Sequence, residues 1–349
     1  MLLTPGPVKL TDEIRNAQSR EMINHRGKEF EEIFSDVVGR LKALLDADEV
    51  YILTGSGTLG VESILANACK KDETILCLNN GEFGKRFADI ARIYAHVQEE
   101  KLEHGKGWNL ERAKGLIDGG NARVLGMVHN DTGTGVTNHL REICNYAKKK
   151  GMITVVDGIS GWPAMEMKMR EFGVDFIALG SQKAIGAPPG LVMVGVSKEG
   201  VERFLNNSVP NYYCDFKKYK KFSDERRQTP FTPAVSLIYA LQEALNEVKK
   251  NGLEGTIKRH EEGAKYTRDS LVELGFELFA EKGFYSNAVT AFNCSRADEI
   301  KKALNERYDI EIAGGMGELK GKILRIAHLG NFTTKDLDYC FSALREIIE

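Results

Sequence analysis

Short apolar runs alternate with helical segments over residues 49–200, and this alternation constrains the fold most. The runs predict six β-strands, at Val50–Leu53, Thr74–Leu78, Val124–Val128, Met152–Val156, Phe176–Leu179 and Leu191–Val196. The intervening segments predict helices at Leu59–Cys69, Phe83–Tyr94, Leu110–Ile117 and His139–Lys150. Strands that are apolar on both faces and alternate with helices predict an α/β fold with a mostly parallel sheet covered by helices. Ligands of such a sheet bind at the carboxyl ends of its strands.

The remaining segments flank this predicted sheet. Residues 1–20 predict an arm with a weak helix, either crossing to a partner subunit or simply tethered. Residues 21–250 predict a large domain that also holds an amphipathic helix from Phe30 to Leu45, an irregular segment at 208–232 and a helix at 234–250. Residues 251–349 predict a smaller α+β domain, with elements at Ile257–Leu274, Phe276–Phe279, Ala288–Phe292, Ala297–Tyr308, Ile323–Ala327 and Lys335–Ile348.

Composition argues against several classes of protein. The net charge of −2 gives no basic excess for nucleic acid, and no apolar run reaches the 18 residues expected of a membrane span. Six cysteines are scattered without metal-ligand spacing, so we expect reduced thiols in a cytoplasmic protein and no metal site.

A single lysine follows the carboxyl end of a predicted strand. Lys183 follows the run Phe176–Leu179 and precedes Pro188, Pro189 and Gly190, which cannot continue a helix or a central strand. Most lysines are solvated surface charges, but a lysine withdrawn from water has a lowered pKa and forms a Schiff base with an aldehyde. This position therefore indicates pyridoxal 5'-phosphate (PLP). Such a site also needs a phosphate cradle, an acid beside the pyridine nitrogen and a group flat against the ring.

Candidates for the cradle and the acid follow two other strands. The glycine-rich turn at residues 55–60 places backbone N–H groups and the hydroxyls of Ser56 and Thr58 at a helix N-terminus, which binds phosphate; an empty tight turn is the alternative. Asp157 ends the strand before that of Lys183. It either caps a turn or pairs with the pyridine nitrogen.

Three further residues have both a functional and a structural interpretation. Phe83, between two glycines, either stacks on the cofactor or belongs to the core. Thr132 either bonds a ring oxygen or lies in an ordinary loop. Arg325 interrupts an apolar strand, so it either binds a substrate carboxylate through its planar fork or forms a buried ion pair.

The glycine-rich turn also supports a rival hypothesis. Gly55, Gly57 and Gly60 spell G-x-G-x-x-G, the fingerprint of a dinucleotide-binding oxidoreductase. That fold needs an acid about 20 residues later at the end of the second strand. The strand ends on Leu78-Asn79-Asn80 instead, which disfavours the oxidoreductase.

Taken together, these motifs resemble the class V aminotransferases of PLP-dependent fold type I, in the alanine–glyoxylate and serine–pyruvate branch. The resemblance covers Thr4-Pro5-Gly6-Pro7, Gly55-Ser56-Gly57-Thr58, Asn80-Gly81-Glu82-Phe83-Gly84, His129-Asn130-Asp131-Thr132, Val156-Asp157, Ser181-Gln182-Lys183, Ala187-Pro188-Pro189-Gly190, Gln228-Thr229-Pro230-Phe231-Thr232-Pro233 and Gly321-Lys322-Ile323-Leu324-Arg325-Ile326. It implies a large domain with a mostly parallel sheet of the seven-stranded type, plus a smaller C-terminal α+β domain.

The resemblance also implies a role for each matching residue. Lys183 would hold the cofactor as a Schiff base and Asp157 its pyridine nitrogen. Arg325 would bind the substrate α-carboxylate, and Gly6 would line the substrate pocket. The other implied cofactor contacts are Ser56, Gly57, Thr58, Phe83, Thr132, Ile159, Gln182, Thr229 and Thr232. Thr229 or Thr232 would reach the phosphate of a neighbouring subunit, which implies a homodimer.

The expected activity is ping-pong transfer of an amino group from a small donor, alanine or serine, to glyoxylate or pyruvate. Aspartate as donor is an alternative that needs a second cation, for which Arg26, Lys9 and His328 are candidates. A PLP-dependent lyase or cysteine desulfurase is a further alternative and needs a reactive cysteine, for which Cys294 is the only one near. Trp162 departs from the small residues usual in the family after the aspartate, and Phe83 stands where tryptophan is frequent.

Overall fold

The structure is a computed structural model that describes all 349 residues. Its helices are α1 Asp12–Ala17, α2 Lys28–Leu45, α3 Gly57–Ala68, α4 Glu82–Tyr94, α5 Leu110–Gly119, α6 Leu140–Lys149, α7 Met169–Phe172, α8 Lys198–Leu205, α9 Phe216–Arg226, α10 Val235–Asn251, α11 Leu253–Glu273, α12 Ala297–Tyr308 and α13 Thr334–Ile348. Its strands are β1 Glu49–Thr54, β2 Thr74–Asn79, β3 His96–Lys101, β4 Val124–Val128, β5 Asn130–Asp131, β6 Val136–Thr137, β7 Ile153–Asp157, β8 Phe176–Gly180, β9 Leu191–Val196, β10 Val289–Asn293, β11 Ala313–Gly314 and β12 Ile323–Ala327.

Seven strands form the main sheet, in the order β1-β9-β8-β7-β4-β2-β3. The pairs from β8 through β3 are parallel, whereas β9 runs antiparallel to both of its neighbours. Strands β4, β8 and β9 are buried along their whole length, as expected of a sheet covered on both faces. The predicted α/β fold with a mostly parallel sheet is confirmed.

Apolar clusters cover both faces of this sheet. One cluster packs residues of α2, α6 and α10 against one face, and the other packs α3 and α4 against the opposite face. Gly60 lets α3 approach the sheet, because a Cβ at this position would lie 3.1 Å from Cβ of Ala178 on β8. The N-terminus of α3 is thereby held next to the ends of β1 and β8.

A three-stranded antiparallel sheet, β10-β12-β11, lies in the C-terminal part of the chain. The start of the chain is attached to it, since Leu3 N–H donates to the carbonyl oxygen of Glu311 at 2.9 Å and Ala327 N–H donates to that of Leu3 at 2.8 Å. The arm is therefore tethered within its own chain up to this point. The division of the chain at residues 20 and 250 stays a prediction.

The predicted strands and helices of residues 50–196 and 234–348 agree with the structure within a few residues, with one exception. Residues 276–279 form no strand; the chain there makes only an isolated bridge between Leu278 and Phe292. The segment 208–232 is not wholly irregular, because it contains α9. Asp215 caps this helix by accepting from Lys217 N–H at 3.1 Å, and Phe216 and Tyr219 form its buried face.

Strand β3 at the edge of the main sheet was not predicted. Its sequence, HVQEEK, is polar and only half-buried, and charged edge strands lack the apolar pattern of central ones. None of the thirteen helices combines the length and the apolar character needed to cross a bilayer.

Candidate active site

Five strands of the main sheet end at one edge, and residues of the predicted site lie at or just after these strand ends. Ser56 follows β1, Phe83 follows β2, Thr132 follows β4 and Lys183 follows β8. Asp157 is itself the last residue of β7. The carboxyl ends of parallel strands meet at the same edge, so the fold gathers segments that are up to 127 residues apart.

Lys183 lies under the N-terminal arm. Its Nζ donates to the carbonyl oxygen of Pro5, and a Cβ on Gly6 would lie only 2.8 Å from Cδ of Lys183. Gly6 has φ +103°, where a side chain is also strained. Burial lowers the pKa of Lys183 to about 8. The amine therefore loses its proton far more readily than that of an exposed lysine.

Asp157 is a buried acid with a single hydrogen bond. It is 7 % exposed, and Oδ1 accepts from Ile159 N–H at 3.0 Å. Burial raises the pKa of Asp157 to about 6, and the charge of Lys183 acts in the opposite direction. A carboxylate with one hydrogen bond and unused acceptor capacity fits a protonated ring nitrogen.

The start of α3 supplies a cradle for an anion. The first N–H groups of a helix have no partner within the helix, and the Ser56 side chain makes no capping hydrogen bond. A Cβ on Gly57 would lie 2.6 Å from Cδ1 of Ile159, so Gly57 and Ile159 close against each other beside this helix end. Gln182 Oε1 is buried without a partner. These features fit the phosphate and ring of PLP.

Asp131 joins two of the predicted contacts and was missed as a functional candidate. Its Oδ2 accepts from Phe83 N–H at 3.2 Å, and Oδ1 accepts from the N–H groups of Gly133 and Thr134 at 2.8 and 3.1 Å. The carboxylate is fully buried, and burial raises its pKa. It therefore fixes the aromatic Phe83 relative to the loop that carries Thr132. The only signal in the sequence is an aspartate followed by glycine and threonine, which is typical of a side-chain-capped turn.

Arg325 reaches this loop from the small sheet. Nη1 donates to the carbonyl oxygen of Thr132 at 2.7 Å, while Nε and Nη2 donate to that of Gly314 at 2.9 and 2.6 Å. No carboxylate lies in ion-pair contact, so the structural interpretation as a buried salt bridge is wrong. Of the five N–H groups of a guanidinium, the remaining two are available to a carboxylate.

Thr229 and Thr232 both have partners within this chain. The Thr229 hydroxyl donates to the carbonyl oxygen of Phe231 at 2.6 Å, and the Thr232 hydroxyl lies 3.4 Å from Nε2 of His25. Ala234 N–H donates to the Thr54 hydroxyl at 3.1 Å, so the segment lies beside the end of β1. Contact of either threonine with a second subunit stays a prediction.

Two groups behind the site carry buried polar atoms without partners. Nδ1 of His129 and Nε1 of Trp162 are both buried and unpaired, and burial lowers the pKa of His129 to about 4, which keeps its ring neutral. Trp162 belongs to the large apolar cluster of the main sheet. The tryptophan thus fills the core at the position where it departs from the family pattern.

The three candidate cations for a side-chain carboxylate of the donor are either engaged by other groups or buried. Arg26 donates to the carbonyl oxygens of Thr229 and Pro230 at 2.6 and 3.2 Å, and Lys9 lies 3.6 Å from the Asp336 carboxylate. His328 is buried, and burial lowers its pKa to about 3.

Cys294 does not resemble a reactive thiol. It is 5 % exposed, and burial raises the pKa of its thiol. The thiolate, not the thiol, is the nucleophile, so the cysteine desulfurase hypothesis loses its required residue.

Comparison with known proteins gives the family of the chain. The aminotransferase class-V family matches residues 9–324. An uncharacterized aminotransferase of Methanocaldococcus jannaschii is 35% identical over 95% of this chain and 88% of its own length. The L-aspartate–glyoxylate aminotransferase of Paracoccus denitrificans is 29% identical over 95% of this chain and 87% of its own. The crystal structure of an alanine–glyoxylate aminotransferase from Nostoc sp. superposes with a TM-score of 0.95 at 25% identity, covering 100% of this chain and 95% of that one.

The dinucleotide-binding hypothesis is therefore wrong: the glycine-rich turn belongs to a different fold, in which Gly60 serves the packing of α3 on the sheet. Family match, sequence relatives, sheet order and site geometry agree, and the chain belongs to the class V aminotransferases, which are PLP-dependent enzymes.

Proposed function

We propose that this aminotransferase moves the amino group of a small amino acid, of the alanine or serine type, to glyoxylate by a ping-pong mechanism. The observation that carries the proposal is that Lys183 and Asp157 lie at one edge of the main sheet, where the Arg325 guanidinium reaches the Thr132 carbonyl from the small sheet. Glyoxylate is proposed as acceptor because the names of both the Paracoccus and the Nostoc proteins include it. Pyruvate is the second candidate acceptor.

Each of the three residues has a distinct task in this proposal. Lys183 would hold the cofactor and, once the donor amine has displaced it, its freed Nζ would take the proton that leaves Cα of the donor, for which a pKa of about 8 is well placed. Asp157 holds the ring nitrogen in its charged form. Arg325 binds the donor α-carboxylate through its two unused N–H groups. When bound, PLP supplies an aldehyde and a ring that withdraws electrons from Cα.

The surrounding residues position this centre. Ser56, Gly57, Thr58 and Gln182 bind the phosphate, and Thr132 contacts the ring oxygen. Phe83 and Ile159 lie against the ring, and Gly6 leaves room for substrate over Lys183. These assignments rest on the sequence motifs and on their placement around one edge of the sheet.

The donor is proposed to be small because the chain lacks an available second cation among the predicted candidates. A side-chain carboxylate needs a positive partner when it leaves water. Arg26 is engaged by backbone carbonyls, Lys9 pairs with Asp336, and His328 is neutral. Aspartate, the donor named for the Paracoccus protein, is therefore the second candidate.

We also propose that the enzyme is a homodimer in which the segment carrying Thr229 and Thr232 contacts the neighbouring cofactor phosphate. The proposal is supported by an aromatic pair in this segment: Tyr212 is 75% exposed and its ring lies 5.8 Å from that of Phe231, between centroids. Equilibrium sedimentation of the holoenzyme tests the dimer, and a monomer with full activity would contradict it.

The substrate assignment is tested by turnover with a panel of donors and acceptors. We expect alanine or serine with glyoxylate to give the highest kcat/KM, and aspartate and glutamate to be at least tenfold poorer. A matched panel on the Lys183→Ala variant controls for contaminating transaminases. Aspartate as the strongly preferred donor would overturn the small-donor proposal while leaving the aminotransferase intact.

A further inference from the structure

A second cavity lies apart from the site just described. It has a volume of about 200 Å³, is open to solvent on one side, and lies between α10, α11 and the loop that follows Lys183. We refer to it as the α10–α11 cavity. Residues that line it include Arg259, Glu247, Ala184, Ile185, Val248 and Asn331. Neither Asp157 nor Arg325 lines it, so it is separate from the proposed substrate site.

Arg259 is the positive group of this cavity. It is half-buried on α11, and burial lowers its pKa. Its contacts are to one residue, Phe332: Nη1 donates to the carbonyl oxygen at 3.2 Å, and the guanidinium lies 5.0 Å from the ring centroid. Most of its five N–H groups are therefore not used by the protein. An arginine withdrawn from water usually has an anionic partner.

Glu247 is the negative group. It lies on α10, is half-buried, and takes part in no ion pair with Arg259 although its charge acts on that guanidinium. The two side chains thus face one cavity with opposite charges that are held too far apart for direct contact.

Part of the remaining wall is apolar, and Thr11, Asn251, Thr256 and Asn331 complete it. Ala184, Ile185 and Val248 are all less than 5% exposed and contribute their side chains to it. Ligand sites are commonly apolar cavities with a few placed polar groups, and they occur between packed units of a chain. An apolar patch beside one cation and one anion matches a molecule that carries both charges and a short hydrocarbon side chain.

We propose that the α10–α11 cavity binds a small apolar α-amino acid in its zwitterionic form. Arg259 binds the carboxylate with its planar fork, Glu247 binds the ammonium group, and the side chain lies against Ile185 and Val248. A volume of about 200 Å³ suits a ligand of the size of alanine or valine. The proposal does not depend on which donor and acceptor the enzyme uses.

Calorimetric titration of the holoenzyme with 2-aminoisobutyrate tests the proposal. This zwitterion lacks an α-hydrogen, so proton transfer at Lys183 cannot consume it. We expect saturable binding in the wild type and in Arg325→Lys, in which the proposed substrate site is weakened. We expect binding at least tenfold weaker in Arg259→Gln and in Glu247→Gln.

Matched variants control for loss of charge alone. Lys258→Gln and Glu254→Gln remove one charge each from exposed positions of α11 that do not line the cavity, and both should bind as the wild type does. Melting temperatures show whether each variant is folded. If Arg259→Gln is unfolded, Glu247→Gln and the milder Arg259→Lys decide the question.

Three outcomes would overturn the proposal. Binding that is lost in Arg325→Lys but unchanged in Arg259→Gln and Glu247→Gln would place the ligand only in the substrate site. Isobutyrate binding as tightly as 2-aminoisobutyrate would show a site for anions rather than for zwitterions. If the wild type shows no saturable binding, the cavity holds only solvent and does not bind the zwitterion.

Discussion

Arg325 of the small sheet donates a hydrogen bond of 2.7 Å to the carbonyl oxygen of Thr132 at the edge of the main sheet. The next residue back, Asp131, binds the N–H of Phe83. A cation proposed to bind substrate and an aromatic proposed to face the cofactor are therefore connected through two neighbouring residues. Substitutions along this connection should affect both ligands.

Arg325→Lys should raise the KM of every donor by a similar factor. Lysine offers a single ammonium group in place of the planar guanidinium, which binds a carboxylate through two N–H groups. The loss costs about 1.5–3 kcal/mol of binding free energy, which corresponds to a KM roughly 10- to 150-fold higher. The melting temperature should also fall slightly, because the hydrogen bonds to Gly314 and Thr132 are lost in part. Steady-state kinetics and a thermal melt on one variant measure both effects. Lower stability with unaltered kinetics would remove Arg325 from the substrate site.

Asp131→Asn should weaken the cofactor site and the substrate site together. An amide has one oxygen acceptor, whereas the carboxylate uses both oxygens to hold Phe83 and the turn at Gly133. We expect a higher KM for donors and weaker retention of PLP, each by about tenfold, as for a charged hydrogen bond lost.

Thr134→Val is the matched control for Asp131→Asn, because it removes only the 3.3 Å hydrogen bond from the Thr134 hydroxyl to the same carboxylate. Its effect should be much smaller. PLP retention is measured by absorbance after gel filtration. A variant Asp131→Asn with normal PLP retention and altered stability alone would reduce Asp131 to a turn-capping residue.

Lys183→Ala should abolish turnover while the protein still folds. The side chain contributes one hydrogen bond, to Pro5, and no core packing that alanine would leave strained. Far-ultraviolet circular dichroism checks the fold, and mass spectrometry after borohydride reduction of the wild type locates the pyridoxyl group. A pyridoxyl group on any other lysine would refute the assignment.

Asp157→Asn should retain PLP but lose most of its rate, since an amide does not hold the ring nitrogen in its charged form. The cofactor-free protein gives a second readout. Burial raises the pKa of Asp157 from 3.8 to about 6, so between about pH 4 and 6 the folded state binds this proton more tightly than the unfolded state. The wild type should therefore lose up to about 3 kcal/mol of stability as pH rises through this window.

Asp157→Asn lacks the titrating carboxyl group, so its free energy of unfolding should fall less than that of the wild type over the same pH range. Urea unfolding of both proteins without cofactor, from pH 4 to 7, measures the difference. If the difference in the free energy of unfolding between the two proteins does not change from pH 4 to 7, the Asp157 carboxyl group is not buried as the structure has it.

The sequence predicted best where burial imposes a pattern. Strands β4, β8 and β9 are buried throughout and were placed within a residue of their ends. Strand β3 was missed because half of its surface faces solvent and its residues are charged. Helix α9 was missed because its segment is basic and aromatic, and its start is set by the Asp215 cap rather than by an apolar stripe.

The site was predictable residue by residue only where one residue type points to one chemistry. Lys183 and Asp157 each lie at the end of a buried strand, which a sequence shows directly. The partners of Arg325 are backbone carbonyls from two distant segments, and backbone atoms carry no sequence signal. The role of Asp131 was hidden for the same reason, since all but one of its hydrogen bonds come from backbone N–H groups.

The attachment of the arm has a consequence for how the enzyme is made. Leu3 is held by Glu311 and Ala327, and the residues that follow it, Pro5 and Gly6, close over Lys183. Leu3 therefore has no complete docking place until Ala327, 324 residues later in the chain, has been synthesised. The main sheet is complete in sequence by Val196, but the pocket over Lys183 closes only when the last strand of the small sheet has formed. We therefore expect a nascent chain to lack a closed pocket over Lys183 until the small sheet has formed.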